Sequence, residues 1–299
     1  MMSTTVRRVT VSIAVAAALS GAAACSGSDS EKGSGGNGKA AGKAKTQANP
    51  VAALRSVEES TDKADSAEVE STTTMGTMMS MKADGALGWA YGLTGNLVIT
   101  YTGGTMADQM RQLGTTSMEA RYLPDAYYAK MGDKFAAQSG GKHWIKYAYD
   151  DLAELAGGSG AYMKDQMQNT TPNQSVKLLL ASGDVKKVGE EKVRGESTTH
   201  YSGTVDVADL AGKSSDLSAD QLADLKRQLE QAGVSTETID IWVNDENLLV
   251  KKAEKGELAT GSMSSTAYYS DYGVKVSAKE PAASDTADFK DLMRTRPAG

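Results

Sequence analysis

The sequence predicts an α+β protein in which helices cover one face of an antiparallel sheet. Between residues 87 and 101 the large side chains hold every second position, which is the period of a half-buried strand. Further strand-like segments follow at short intervals, as in antiparallel sheets. A helical stripe at 219–232 lies among them. The resulting order of a helix, a run of strands, a cluster of helices and more strands is typical of the α+β class.

The first elements are a helix and a long alternating segment. Pro50 opens the helix, and Val51, Leu54, Val57 and Ala64 fall on one face. Residues 67–81 then alternate weakly. The stronger alternation is made by Leu87, Trp89, Tyr91, Leu93, Leu97, Ile99 and Tyr101. It predicts a long strand or a bent hairpin with these residues on the buried side.

The remaining strands and helices are shorter. Helices are predicted at 150–156, at 160–168, from Pro172 onward, and at 219–232, where Ser218 and Gln221 form a capping box. A short helix is also predicted around Phe289, Leu292 and Met293. Strands are predicted at 115–122, 126–131, 143–147, 197–206, 239–244, 248–256 and 262–277, with a tight turn at 245–247.

The first 25 residues have the organisation of a secretion signal that ends at a cysteine. Arg7 and Arg8 precede an apolar stretch, and small residues lead to Cys25, the single cysteine of the chain. This arrangement resembles the lipobox of bacterial lipoproteins, with Ala22 where that motif usually has leucine. The resemblance implies that Cys25 is acylated and becomes the first residue of the mature protein. The alternative is an ordinary cleaved signal with a cysteine nearby.

Four segments follow from this interpretation. Residues 1–24 are the signal peptide, and 25–49 are the acylated cysteine and a Gly/Ser-rich disordered tether. Residues 50–281 form the folded domain, and 282–299 a tail with the short helix. We expect an exported protein anchored by acyl chains at the outer face of the cytoplasmic membrane.

The charge of the chain argues against nucleic acid as a partner. The net charge is −6, and removing residues 1–24, whose charged residues are Arg7 and Arg8, makes it −8. Nucleic-acid binding favours basic surfaces. We therefore expect the membrane to be contacted through the anchor on Cys25 rather than through bulk charge.

Enzyme signals are poor, and we expect a non-catalytic protein without a cofactor. His143 and His200 are the two histidines of the chain, and they lie far apart in sequence. With Cys25 assigned to the lipid, they cannot complete a Cys/His zinc set, so no metal site is predicted. Metalloprotease, nucleophile-elbow, Walker and dinucleotide-binding motifs are absent.

Methionine is unusually frequent, with 14 residues against 2 phenylalanines. Met75 and Met79 belong to a cluster in one strand, and Met163 and Met167 lie one turn apart in one helix. Methionine packs adaptably against irregular apolar shapes. Two interpretations stay open at this point: a soft core, or the wall of a cavity for a flexible apolar ligand.

Several patches together resemble the LppX/LprG-type lipoproteins of actinobacteria, which are similar to the LolA and LolB lipoprotein carriers. The patches lie at 141–147, 195–206, 241–251 and 269–276, and the resemblance covers about residues 50–281. It implies a strongly bent antiparallel half-barrel sheet, with helices covering the concave face and an apolar cavity between them. On that basis the predicted cavity lining is Met75, Met79, Trp89, Tyr91, Leu93, Met163 and Met167.

The function that the resemblance implies is the binding or carrying of a lipid or lipoglycan through its acyl chains. Glycines 157, 158 and 160 would then hinge a lid. A second hypothesis is a non-catalytic interaction module with a filled core that binds an envelope protein, whose identity the sequence leaves unknown. A third is a hydrolase with an unrecognised site.

Overall fold

The computed structural model describes residues 49–155, 171–206, 233–258 and 261–294, together with residues 208, 223, 226, 227, 229 and 230. The chain divides into two units, Met1–Lys45 and Thr46–Gly299, and the elements below all belong to the second. Cys25, Met163, Met167, the three hinge glycines and most of the helix predicted at 219–232 lie outside the described residues.

Twelve strands form one open, curved sheet, which confirms the predicted α+β class. Its spatial order is β12-β6-β5-β4-β3-β2-β1-β11-β10-β9-β8-β7, antiparallel throughout except for the β12–β6 pair. The strands are β1 Ser66–Met75, β2 Met79–Gly88, β3 Thr94–Gly103, β4 Ser117–Tyr122, β5 Ala126–Lys130, β6 Trp144–Ala148, β7 Lys186–Val193, β8 Glu196–Asp206, β9 Val234–Val243, β10 Leu249–Leu258, β11 Gly261–Ser270 and β12 Thr286–Asp288.

Six helices are described: α1 Pro50–Ala64, α2 Gly104–Gln112, α3 Asp133–Gln138, α4 Tyr149–Leu155, α5 Asn173–Ser182 and α6 Phe289–Arg294. Helix α1 begins where predicted, because Asn49 accepts a hydrogen bond from the Val51 amide (3.1 Å) and Pro50 occupies the first turn. Helix α5 packs against α1, and the side-chain amide of Asn173 donates a hydrogen bond to the backbone carbonyl of Glu58 across 2.9 Å.

The main core lies on the sheet face that carries α1 and α5. Leu54 and Val57 of α1 and Val176 and Leu179 of α5 are buried in it together with the inward residues of the strands. We call this side the inner face. The alternation predicted between 87 and 101 places Leu87, Leu97 and Ile99 there, across the hairpin formed by β2 and β3.

The C-terminal segment continues to contact the sheet beyond β11. It crosses the outer face of the sheet, where the carbonyls of Ser277 and Lys279 accept hydrogen bonds from Asn96 (3.1 Å) and Arg121 (3.0 Å). Strand β12 then pairs in parallel with β6. The Asp285 carboxylate accepts from the His143 amide (2.8 Å) and contacts its ring at 2.7 Å. Strand β12, Thr286–Asp288, is therefore part of the same sheet, and α6 follows it directly.

Candidate functional site: an apolar pocket on the inner face

An apolar pocket of about 450 Å³ lies at the β6 end of the inner face. Its floor is Ile145 and Tyr147 of β6, whose partners Ala129 and Tyr127 belong to the main core. Its walls come from α3, from α6 and from the residues next to them. The lining residues are Leu113, Met131, Phe135, Gln138, Ser139, Ile145, Tyr147, Phe289, Leu292 and Met293.

Helix α6 forms one wall although none of its residues is fully buried. It is positioned by β12, because the Asp288 carboxylate accepts a hydrogen bond from the Lys290 amide at 2.8 Å. Lys290 also forms an ion pair with Asp151 of α4. Phe289 packs on Tyr147 with 4.7 Å between ring centroids. Phe289, Lys290 and the pairing of β12 with β6 thus position this wall.

Tyrosines continue from the pocket floor along the inner face. Tyr127 lies between Tyr147 and Tyr122, with ring centroids 5.7 and 5.0 Å away. Burial, and secondarily the nearby Tyr101 hydroxyl, raises the pKa of both Tyr122 and Tyr147 to about 12. These phenols therefore stay neutral at physiological pH, and the surface beside the pocket carries no charge from them.

The opposite half of the inner face contains a buried polar group. The Lys252 ammonium lies 3.1 Å from Glu254 and donates to Ser175 of α5 across 2.9 Å, and the Ser175 hydroxyl also contacts Glu254. Glu237, only 5% exposed, faces this pair. Burial, reinforced by the Glu254 charge, raises the pKa of Glu237 to about 7.

The structure does not bring the predicted lining residues together at this pocket. Met75 and Met79 oppose each other at the far end of β1 and β2, where both are half-buried. Trp89 lies at the other end of the hairpin and donates to the Thr61 carbonyl of α1 (3.2 Å), and Leu93 is buried in the main core. The predictions for Met163, Met167 and Cys25 concern residues outside the described part of the chain.

Tyr91 is a correction, because it is 94% exposed and lines no interior wall. The predicted alternation treats residues 87–101 as continuous, whereas residues 89–93 connect β2 to β3. Ala90 and Gly92 form an isolated bridge there, and Gly92 adopts φ = 95°. The tight connection breaks the period of two, so Tyr91 turns to solvent while Leu87 and Leu97 stay inside.

The pocket residues carried only a weak sequence signal. Phe289, Leu292 and Met293 do form the short helix expected after Pro281. Their role as a wall depends on the parallel pairing of β12 with β6, which no local pattern indicates. Phe135 belongs to a six-residue helix, α3, that the sequence analysis did not predict.

Among the described residues, no three His, Cys, Asp or Glu side chains are arranged to hold a metal ion. No described helix is long and apolar enough to span a bilayer. His200 stacks on Trp242 at 4.3 Å and pairs with Asp240 at 2.8 Å, which makes it part of the packed outer face.

The fold and the pocket define an α+β protein with an open, curved sheet and an apolar pocket beside β6, and sequence comparison gives the family. The chain is 51% identical over 309 aligned positions to a Streptomyces coelicolor protein provisionally named a lipoprotein, covering 99% of each chain. It is 62% identical over 250 residues to a 31.2 kDa Streptomyces griseus protein encoded in the rplA–rplJ intergenic region, covering 83% of this chain and 82% of that one. The chain belongs to the same family as these two proteins. No family model matches it.

Solved structures with a similar fold include two mycobacterial lipoproteins. LppX of Mycobacterium tuberculosis matches with a TM-score of 0.47 and 16% identity, over 77% of this chain and 97% of that one. LprF of Mycobacterium bovis matches with a TM-score of 0.46 and 17% identity, over 78% and 97%. Both are of the LppX/LprG type that the sequence patches resemble.

Proposed function

We propose that this protein is a non-catalytic envelope lipoprotein that holds an acyl chain of a lipid or lipoglycan in the pocket beside β6. In this proposal residues 1–24 are removed, Cys25 is acylated, and residues 25–49 tether the domain to the outer face of the cytoplasmic membrane. Membership in a family with a named lipoprotein supports the anchor. The pocket supports the ligand.

The observation that carries the binding proposal is the composition and position of the pocket wall. Eight of the ten lining residues are apolar or aromatic, and the remaining two are Gln138 and Ser139 of the α3 end. The volume of about 450 Å³ lies within the range of small-molecule sites. Transfer of an acyl chain into it would be favourable by about 25 cal/mol per Å² of apolar surface removed from water.

Entry of the chain would require one wall to move, and we propose that α6 is the wall that moves. It has no fully buried residue, and Leu292 and Met293 line the pocket without closing it from solvent. An outward shift of α6 would cost the Phe289–Tyr147 contact and the Lys290–Asp151 ion pair. Both would re-form when the ligand is enclosed.

The test is lipid binding by the unit Thr46–Gly299, which contains the sheet and core. We expect saturable binding of a fluorescent long-chain fatty acid or phospholipid, and at least a tenfold loss of affinity in Leu292→Arg, because an unpaired charge in an apolar pocket costs several kcal/mol. The control Val188→Arg places the same charge on exposed β7 and should bind like the unaltered protein. Absence of saturable binding, or equal affinity of both folded variants, would contradict the proposal.

The interaction module with a filled core remains the second candidate. The Lys252, Glu254 and Ser175 group supports it, because that half of the inner face is closed by its own polar contacts. The same titration separates the two candidates, since a filled core takes up no lipid.

A further inference from the structure

Five methionines lie near the turn that connects β1 to β2. Met75, Met78, Met79 and Met81 lie within seven consecutive residues, and Met263 of β11 is the cross-strand partner of Met75. Met75 also pairs directly with Met79 on β2. Met81 lies two residues further along β2, so Met75, Met79, Met81 and Met263 project from the same face of the sheet.

The spacing of these residues allows their sulfurs to meet. Directly opposite residues in an antiparallel pair have Cβ atoms about 4.5–5.5 Å apart, and diagonal neighbours about 7–8 Å. The methionine side chain is unbranched and has three rotatable bonds, so the position of its thioether group is adjustable. The thioethers of Met75 and Met79, with Met81 on the diagonal, can therefore converge on one small ion.

The backbone that carries them is fixed by hydrogen bonds. The Met78 amide donates to the Met75 carbonyl (3.0 Å), and the Gly76 amide donates to the Ser262 carbonyl of β11 (2.8 Å). The start of α2 holds the turn from the other side, since the Met106 amide donates to the Met78 carbonyl (3.0 Å). At Gly104, with φ = 79°, an added Cβ would lie 2.6 Å from that carbonyl. The close approach of α2 thus requires glycine there.

The cluster is accessible, although Met81 also packs against the main core. Met75, Met79, Met81 and Met263 are each partly exposed, and Met78 is 49% exposed. By contrast Met110, on the packed side of α2, is buried. An incoming ion can reach the thioethers without unfolding the sheet.

We propose that Met75, Met79 and Met81 form a thioether site for a soft monovalent cation, Cu(I), with Met78 as an adjacent ligand. Thioethers are soft, neutral ligands that select Cu(I), whereas carboxylate and carbonyl oxygens suit Mg²⁺, Ca²⁺ and Mn²⁺. The cross-strand neighbours on this face, Thr73, Tyr101 and Ser265, carry hydroxyls and no carboxylate or imidazole. This composition gives the site little affinity for Zn²⁺ or Ca²⁺. The assignment is independent of the lipid pocket, which lies at the β6 end.

The experiment compares two double variants of the full-length protein purified in detergent. Met75→Leu/Met79→Leu removes two thioethers at nearly constant volume, and Met110→Leu/Met118→Leu does the same at sites outside the cluster. Cu(I) affinity is measured anaerobically by competition with bicinchoninate. We expect one Cu(I) per chain, at least tenfold weaker binding in the first variant, and less than a twofold change in the second.

A ¹³C-methyl methionine spectrum locates the bound ion directly. We expect Cu(I) to shift the methyl signals of Met75, Met79 and Met81 and to leave those of Met110 and Met118 in place. If circular dichroism shows a lowered melting temperature for Met75→Leu/Met79→Leu, the methyl spectrum of the unaltered protein tests the Cu(I) site without that variant. Absence of Cu(I) binding, equal affinity of the two folded double variants, or unshifted Met75, Met79 and Met81 methyls would overturn the proposal.

Discussion

At the scale of single residues, the buried charges of the inner face are the least expected feature. Lys252 is enclosed yet remains protonated, because Glu254 beside it outweighs the burial that disfavours its charge, and its pKa is raised. Glu237 faces the same pair without a hydrogen bond to it, and burial holds its pKa at about 7. Lys252 and Glu254 are thus stabilised by their mutual attraction, whereas Glu237 destabilises the fold whenever it is ionised.

Glu237 should make stability depend on pH in a defined window. Its folded pKa of about 7 lies above the unfolded value of 4.5, so the folded state binds the extra proton between these values. Stability therefore falls as pH rises from about 4.5 to about 7 and stays lower above it. Glu237→Gln should remove this dependence and stabilise the protein at pH 8, by at most about 3 kcal/mol.

Urea unfolding at pH 5 and pH 8 measures this effect. The free energies of unfolding of Glu237→Gln and of the unaltered protein should differ much more at pH 8 than at pH 5. Equal differences at both values would show that the side chain titrates as an ordinary surface carboxylate. Glu257→Gln on β10, which is exposed, is the matched control and should change neither value.

At the scale of elements, glycine positions determine how closely helix and loop segments approach the sheet. A Cβ on Gly203 of β8 would lie 1.9 Å from the Asp184 carbonyl and 2.9 Å from a methyl of Leu179. The loop that follows α5 therefore rests directly on the β8 backbone. A Cβ added to Gly189 of neighbouring β7 would have no other heavy atom within 4 Å.

These two glycines give a matched pair of substitutions. Gly203→Ala should destabilise the protein by about 2–3 kcal/mol or more, because backbone must move to admit the methyl group. Gly189→Ala should change stability by no more than about 0.5 kcal/mol, as is usual for open surface positions. Chemical denaturation of both variants checks the difference. Similar stabilities would mean that the loop after α5 does not lie against β8.

The elements also show what local sequence patterns can and cannot predict. The alternation correctly predicts that Leu87, Leu97 and Ile99 are buried, because it follows the pleat of β2 and β3. It does not reveal the connection at 89–93, so its prediction for Tyr91 is wrong. Strand β7 has no such signal because its residues are almost all exposed and polar, and α2 has none because its apolar face is short.

The candidate site was less predictable than the sheet, for a different physical reason. The pocket is created where α3, α6 and β6 meet, and these elements are separated by up to about 150 residues of sequence. Ile145 was part of a predicted strand and Phe289 of a predicted helix, but their proximity results from the parallel β12–β6 pairing. Such non-local pairing leaves no periodic signal in either segment.

At the scale of the whole molecule, the proposed anchor and the folded unit should be separable. The unit Thr46–Gly299 contains the complete described core, and Cys25 lies outside it. Cys25→Ser should therefore leave the melting temperature unchanged and move the protein from the membrane fraction to the soluble fraction. Fractionation of cells at high salt measures this. Retention in the membrane under those conditions would contradict anchoring through Cys25.

An open sheet of twelve strands also has two ends at which another copy of the chain could add itself. At one end the last strand, β12, is only three residues long, too short to offer a continuous ladder to a neighbour. At the other end β7 presents exposed lysines and glutamates, among them Lys186, Lys187 and Lys192. If two copies met edge to edge, these charges would have to be buried before hydrogen bonds could form between the strands. The short edge strand β12 and the charged edge strand β7 therefore disfavour growth of the open sheet into a fibre.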